Sequence, residues 1–162
     1  MQNPLPRIPE AGHDHDGCVA IAIRSAERLC RDRGLRFTDL RRRVLTLVWE
    51  SHRPVGAYDI LEKLGETGRR AAPPTVYRAL EFLIDAGLVH RLDSLNAFVG
   101  CPDPARSHSG QFVICRECRT VVELDDAEIG EVVAGKARAL GFTGVDQRLE
   151  VHGLCPACRN AP

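Results

Sequence analysis

Apolar positions along the chain change their spacing part-way through, and the change divides it into regions. Over 19–33, apolar and small residues recur every third or fourth position (Ile21, Ala22, Ala26, Leu29, Cys30), which predicts a helix with Gly34 just past its end. Thr38 then stands as an N-cap before a second helix carrying Leu40, Val44, Leu47 and Val48, and His52-Arg53-Pro54 ends it. A short third helix is predicted over 57–64, with Ile60, Leu61 and Leu64 apolar. Pro73-Pro74-Thr75 opens a fourth, running through Asp85 with Val76, Leu80, Leu83 and Ile84 as its buried stripe and Gly87 closing it.

The spacing then shortens to that of strands. Runs 88–92 and 97–101 flank Asp93-Ser94-Leu95-Asn96, a hairpin with a four-residue loop. Helices followed by such a hairpin make a winged-helix arrangement, in which the helix before the hairpin enters the DNA major groove. The segment 102–109 carries two prolines and polar residues and is the expected linker. Beyond it, strands are predicted over 111–114 and 120–124. A helix over 125–140 follows, with Ile129, Val132, Val133, Ala137 and Leu140 on one face, and the last strand spans 145–151. The expected fold class is therefore α+β. A flexible tail (1–17) leads to an N-terminal winged-helix DNA-binding domain (18–101), the linker (102–109), and a small C-terminal α/β domain (110–162).

Composition changes this picture little. Hydrophobic residues make up 44% of the 162 and charged ones 27%, as in an ordinary water-soluble domain. No basic segment followed by an apolar core opens the chain, and no apolar run approaches the roughly 18–20 residues that span a bilayer. A cytoplasmic protein without membrane partners is expected. The net charge is zero, but 19–98 holds 14 Lys and Arg against 10 Asp and Glu, while 99–162 holds 7 against 9. The small basic excess falls on the half expected to meet nucleic acid.

Seven cysteines change it more, because an odd number in a chain with no export signal points to metal ligation rather than disulfides. Cys115-x-x-Cys118 and Cys155-x-x-Cys158 are two knuckles offering four thiolates, which zinc takes tetrahedrally at about 2.3 Å in a closed, structural site. The 36 residues between them leave room for a strand, a helix and a strand. Two separate redox dithiols are the other reading, disfavoured because neither motif is expected to open a helix that would lower a thiol pKa. Cys18, just before the first helix, and Cys30, within it, read as ordinary small apolar residues, and His13 and His15 as part of the tail.

Cys101 differs in standing at the exit of the hairpin. With the loop at 93–96, His90 faces Val99, so His90 and Cys101 share a face. His108 ends the linker and Glu123 lies on the strand after the first knuckle. One thiolate, two imidazoles and one carboxylate suit a tetrahedral divalent ion. Spacing alone leaves open whether these four residues form a site or are unrelated. Near the start of the fourth helix, Thr75, Tyr77 and Arg78 are placed to meet base edges, Tyr77 being equally readable as a core aromatic. Arg36, Arg69 and Arg70 read either as phosphate contacts or as solvated charges.

Taken together, A-Y-D-I-L (57–61), P-P-T-V-Y-R-A-L-E-F-L (73–83), G-L-V-H-R (87–91), Cys101, His108, F-V-I-C-R-E-C (112–118) and H-G-L-C-P-A-C (152–158) resemble the ferric uptake regulator family, and within it the zinc-sensing branch. The resemblance spans roughly 19–160. It implies a structural zinc on Cys115, Cys118, Cys155 and Cys158 and a regulatory zinc on His90, Cys101, His108 and Glu123, two per subunit. It also implies a homodimer that binds palindromic operator DNA when the regulatory site is filled and represses zinc-uptake genes, with Tyr58 as a further DNA contact and no enzymatic activity. Iron- and peroxide-sensing members carry H-H-x-H before the first knuckle, where this chain has His108-Ser-Gly. The usual L-T-x-Q-R of the second helix is replaced by Phe37-Thr38-Asp39-Leu40-Arg41. His152 is expected to pack rather than to ligate. The competing expectations are a sensor of another divalent metal or of thiol redox state in the same family, and, from a different class, a zinc-ribbon enzyme subunit, for which no H-E-x-x-H or phosphate loop is found.

Overall fold

The computed structural model describes residues 15–50, 53–66, 68, 71–106 and 110–160. They form two compact units that divide between Arg106 and Ser107. In the first unit, α1 (His15–Asp32), α2 (Asp39–Trp49), α3 (Ala57–Glu66) and α4 (Pro73–Asp85) enclose one core. Ala26, Cys30, Val44, Leu45, Val48, Ile60, Leu64, Val76, Leu80 and Leu83 supply most of it. Thr38 caps α2, its hydroxyl accepting from the Arg41 N–H at 3.4 Å. Helix α1 begins four residues before the expected position, with Asp16 in its first turn favouring the positive end of the helix dipole.

Helix α4 starts without a side-chain cap, since its first two positions are prolines and have no N–H to satisfy. It stops at Gly87, where φ is +76° and the Leu88 N–H reaches back to the Leu83 carbonyl at 2.8 Å. That left-handed residue suits glycine and turns the chain straight into the wing. The wing pairs β2 (Val89–Leu92) with β3 (Ala97–Gly100) in the register His90↔Val99, and the turn over 93–96 closes with Asn96 left-handed at φ 46°. A short strand not foreseen, β1 (Val55–Gly56), adds to the other edge of β3, giving the order β1-β3-β2. Two residues are too few to show a period of two.

The second unit is a mixed sheet, order β5-β4-β6, built from β4 (Gly110–Cys115), β5 (Val121–Leu124) and β6 (Arg148–Gly153). Helix α5 (Ala127–Ala139) links β5 to β6, which runs parallel to β4. Asp126 caps α5 through bonds from the N–H groups of Glu128 (2.9 Å) and Ile129 (3.3 Å). β6 starts at Arg148 and not at 145, because its ladder begins opposite Gly110, the first residue of β4. Of the apolar face foreseen on α5, Ile129 and Ala137 are half-buried while Val132, Val133 and Leu140 are exposed, Val132 by 63% and Leu140 by 78%. No helix among the described residues is long and apolar enough to cross a membrane.

Candidate metal centres and nucleic-acid interface

Parallel pairing of β4 with β6 ends at Cys115↔Gly153, so both C-x-x-C segments leave the same end of the sheet side by side. The first turns back through Arg119 (φ 58°), with the Cys115 N–H donating to the Thr120 carbonyl at 2.9 Å. The second enters α6 (Pro156–Arg159), whose N-cap is Cys155. This corrects the expectation that neither motif opens a helix: Pro156 at the first helical position and a thiol that accepts from the Cys158 N–H (3.4 Å) suffice for one turn. All four sulfurs lie within 4.8 Å of one another. Cys118 Sγ and Cys155 Sγ are 3.7 Å apart. A tetrahedron with Zn–S of 2.3 Å has edges of about 3.8 Å, so the geometry fits zinc.

Electrostatics within the cluster agree. The Cys155 N–H, 3.4 Å from Cys115 Sγ, leads the backbone donors that lower the Cys115 thiol to about 6. Cys118 is lowered by the Thr120 hydroxyl at 3.2 Å. Cys158, crowded first by Cys155 and then by Cys118, is pushed up to about 12. Four thiols this close resist ionising together, which is the condition a dication relieves. They form one cluster rather than two independent dithiols.

In the first unit, Val89, Phe98 and Gly100 share the face of the wing turned to the core, and His90, Val99 and Cys101 share the opposite face. The Cys101 N–H donates to the Leu88 carbonyl at 3.0 Å, extending the ladder one pair beyond β3. Cys101 is buried, and its sulfur and an imidazole nitrogen of His90 lie within 4.8 Å. Of the other two expected ligands, Glu123 is half-buried on β5 opposite Phe112, and His108 lies outside the described residues. His152 is half-buried on β6 opposite Ile114.

Helix α4 buries Val76, Ala79, Leu80 and Leu83, leaving Thr75, Tyr77 and Arg78 exposed on the other side. Tyr77 is 40% exposed, so the core-aromatic reading does not describe it. Tyr58, in the first turn of α3, is 75% exposed. Arg36 is exposed, its carbonyl accepting from the Arg41 guanidinium, which also lies 3.4 Å from the centre of the Phe82 ring and ties α2 to α4. Arg69 and Arg70 lie outside the described residues.

The model of the ferric uptake regulator family matches residues 32–152. The chain belongs to that family. It is 37% identical over 139 residues to the zinc uptake regulation protein of Escherichia coli K12, covering 84% of this chain and 80% of that one. Among solved structures, a zinc uptake regulator complexed with zinc and DNA is similar with a TM-score of 0.83 at 35% identity, covering 87% of this chain and 95% of the other. The crystal structure of holo XcZur gives 0.81 at 46% identity, covering 88% and 99%. Within this family frame, one pair of residues escaped the sequence reading altogether. Trp49 and Gly100 meet at the exit of the wing, yet they belong to no motif and stand 51 positions apart, so neither carried a signal.

Proposed function

We propose that the chain is a zinc-responsive transcriptional repressor that binds palindromic operator DNA as a homodimer when its sensing site is filled, and so controls zinc-uptake genes. It acts in the cytoplasm, as a regulator and not as an enzyme. The carrying observation is that His90 and Cys101 sit together on the outer face of the wing, within 4.8 Å at their ligand atoms. Likeness to zinc uptake regulators in sequence and in structure supports zinc as the ion. In this reading each subunit takes two zinc ions, one on Cys115, Cys118, Cys155 and Cys158 and one on His90, Cys101, His108 and Glu123.

Zinc at the second set would be held by His90 and Cys101 of the wing, with His108 and Glu123 completing four donors for a tetrahedral shell. His90 and Cys101 offer their donors from a rigid hairpin, His108 from the linker and Glu123 from β5. The ligands thereby restrict how the two reading heads of a dimer are spaced. Arg78 donates to a guanine edge, a bidentate pair contributing about 1–3 kcal/mol of discrimination. Thr75, Tyr77 and Tyr58 meet bases or sugars beside it, while Arg36, Arg69 and Arg70 contact phosphates. Metal and operator strengthen each other's binding by the same factor. A shift from 1% to 99% binding-competent takes roughly 5.5 kcal/mol of preferential metal affinity. Cys101→Ala is expected to lose zinc-dependent operator binding while keeping one zinc per subunit. Ordinary zinc-dependent repression by that variant, measured by operator gel shift and metal analysis, is the result that rejects the assignment.

A further inference from the structure

Trp49, the last residue of α2, is the only tryptophan in the chain. Its indole lies against the backbone of Gly100 so closely that a Cβ there would stand 2.2 Å from both Cε2 and Nε1 and 2.7 Å from Cζ2. Carbon atoms in ordinary contact are about 3.5–4.0 Å apart, so admitting one methyl means moving the ring or the strand by more than about 1 Å. The ring is not free to yield cheaply, since Trp49 is packed on the helical core behind it. With the ring held from behind, the strand end is what has to move. Beyond β3, the hydrogen bond from the Cys101 N–H to the Leu88 carbonyl carries the ladder on.

Gly100 is the residue next to Cys101, on the opposite face of the same extended backbone. Any lift of Gly100 away from α2 therefore carries Cys101 with it. Ligand distances at a metal tolerate about 0.2 Å. A displacement several times larger spoils the bond even though the thiol itself is unchanged.

We propose that Trp49 and Gly100 are a positioning pair for the sensing site. The indole, seated beneath a residue without a side chain, sets the height of β3 above the core and so the place of Cys101. This rests on Cys101 being a sensing ligand, and the test keeps the two ideas apart. The same geometry makes Trp49 a reporter for that site, since it touches the backbone whose other face bears the ligand.

The experiment is zinc binding to the full-length dimer, by chelator competition, with cobalt as a spectroscopic stand-in added while the four-cysteine site holds zinc, so that its thiolate charge-transfer band reports Cys101. Tryptophan emission is followed in parallel. Gly100→Ala is expected to weaken the second zinc by about tenfold or more, in the range for residues that orient ligands, and to leave the first zinc in place. Trp49→Leu removes all three indole atoms that the methyl meets. Adding Gly100→Ala to it should then cost less than about threefold, a double-mutant cycle that isolates the contact. In the wild type, filling the second site should change tryptophan emission, and Cys101→Ser should abolish that change.

If Cys101→Ser binds the second zinc like the wild type, the sensing assignment fails and takes the proposal with it. If Cys101→Ser loses the ion while Gly100→Ala keeps it within threefold of wild type, the positioning pair alone is overturned. Should Gly100→Ala fail to fold, the comparison of Trp49→Leu with the double variant still decides. A gap of tenfold or more between those two shows that the methyl meets something other than the indole, which also overturns the proposal.

Discussion

Cysteine takes at least two roles in this chain, set by surroundings and not by residue type. Cys30 is 1% exposed in the core of the first unit, and burial pushes its thiol up, so it stays neutral and packs as a small apolar side chain. Cys115 and Cys118 receive donors that favour the thiolate, as a metal ligand needs. Cys155 does two jobs at once, offering a sulfur to the cluster and capping α6. Serine can also cap, so Cys155→Ser separates the two. Zinc content is expected to fall by one ion per subunit, and the thermal midpoint of the C-terminal unit by about 10 °C or more, because a structural metal contributes folding free energy directly. An undiminished zinc content would show that the cluster is not the structural site. At this scale the four knuckle cysteines were legible from spacing, whereas the pairing of His90 with Cys101 also needed the hairpin register.

Elements were legible where several local signals agreed. Helix α4 has prolines at its start, an apolar stripe of helical period and Gly87 after its end, and it was foreseen as 73–85, the bounds found. Helix α5 was expected over 125–140 and is found as Ala127–Ala139, its start set by the Asp126 cap. Asp126→Ala removes the acceptor for two N–H groups and is expected to destabilise the chain by about 1 kcal/mol in urea unfolding. A midpoint unchanged at constant slope would mean that water replaces the cap at no cost. By contrast, β1 was invisible. Val55–Gly56 is strand only because β3 lies beside it.

For the whole molecule, the uncovered face of α5 is the feature that reaches beyond one chain. Val132, Val133 and Leu140 are 63%, 44% and 78% exposed, and Phe142 adds another 64% exposed apolar side chain just beyond the helix. An apolar face of this kind marks a protein contact, and we propose that a second copy of the C-terminal unit covers it in the homodimer. Val132→Asp is expected to weaken dimerisation by about tenfold or more, in sedimentation across a concentration series, and operator affinity with it. A dimer of wild-type strength would move the interface elsewhere. The uneven charge belongs to this scale too. The basic excess accompanies the exposed Arg36 and Arg78 of the first unit, and charge of this kind bears on partners and not on the fold.

By itself, the sequence determined the helices α1 to α5, the hairpin register and the ligand chemistry of the C-terminal cluster, because caps, periodicity and C-x-x-C spacing act within a few residues of themselves. Tertiary structure alone decided the parallel pairing of β4 with β6 that brings the two knuckles together, the capture of β1 by β3, the exposure of α5 and the seat of the Trp49 indole on Gly100. Each of these joins segments distant in the chain, or depends on which surface a neighbour happens to cover. No local pattern encodes such a choice, since it is made only when the competing partners meet in three dimensions.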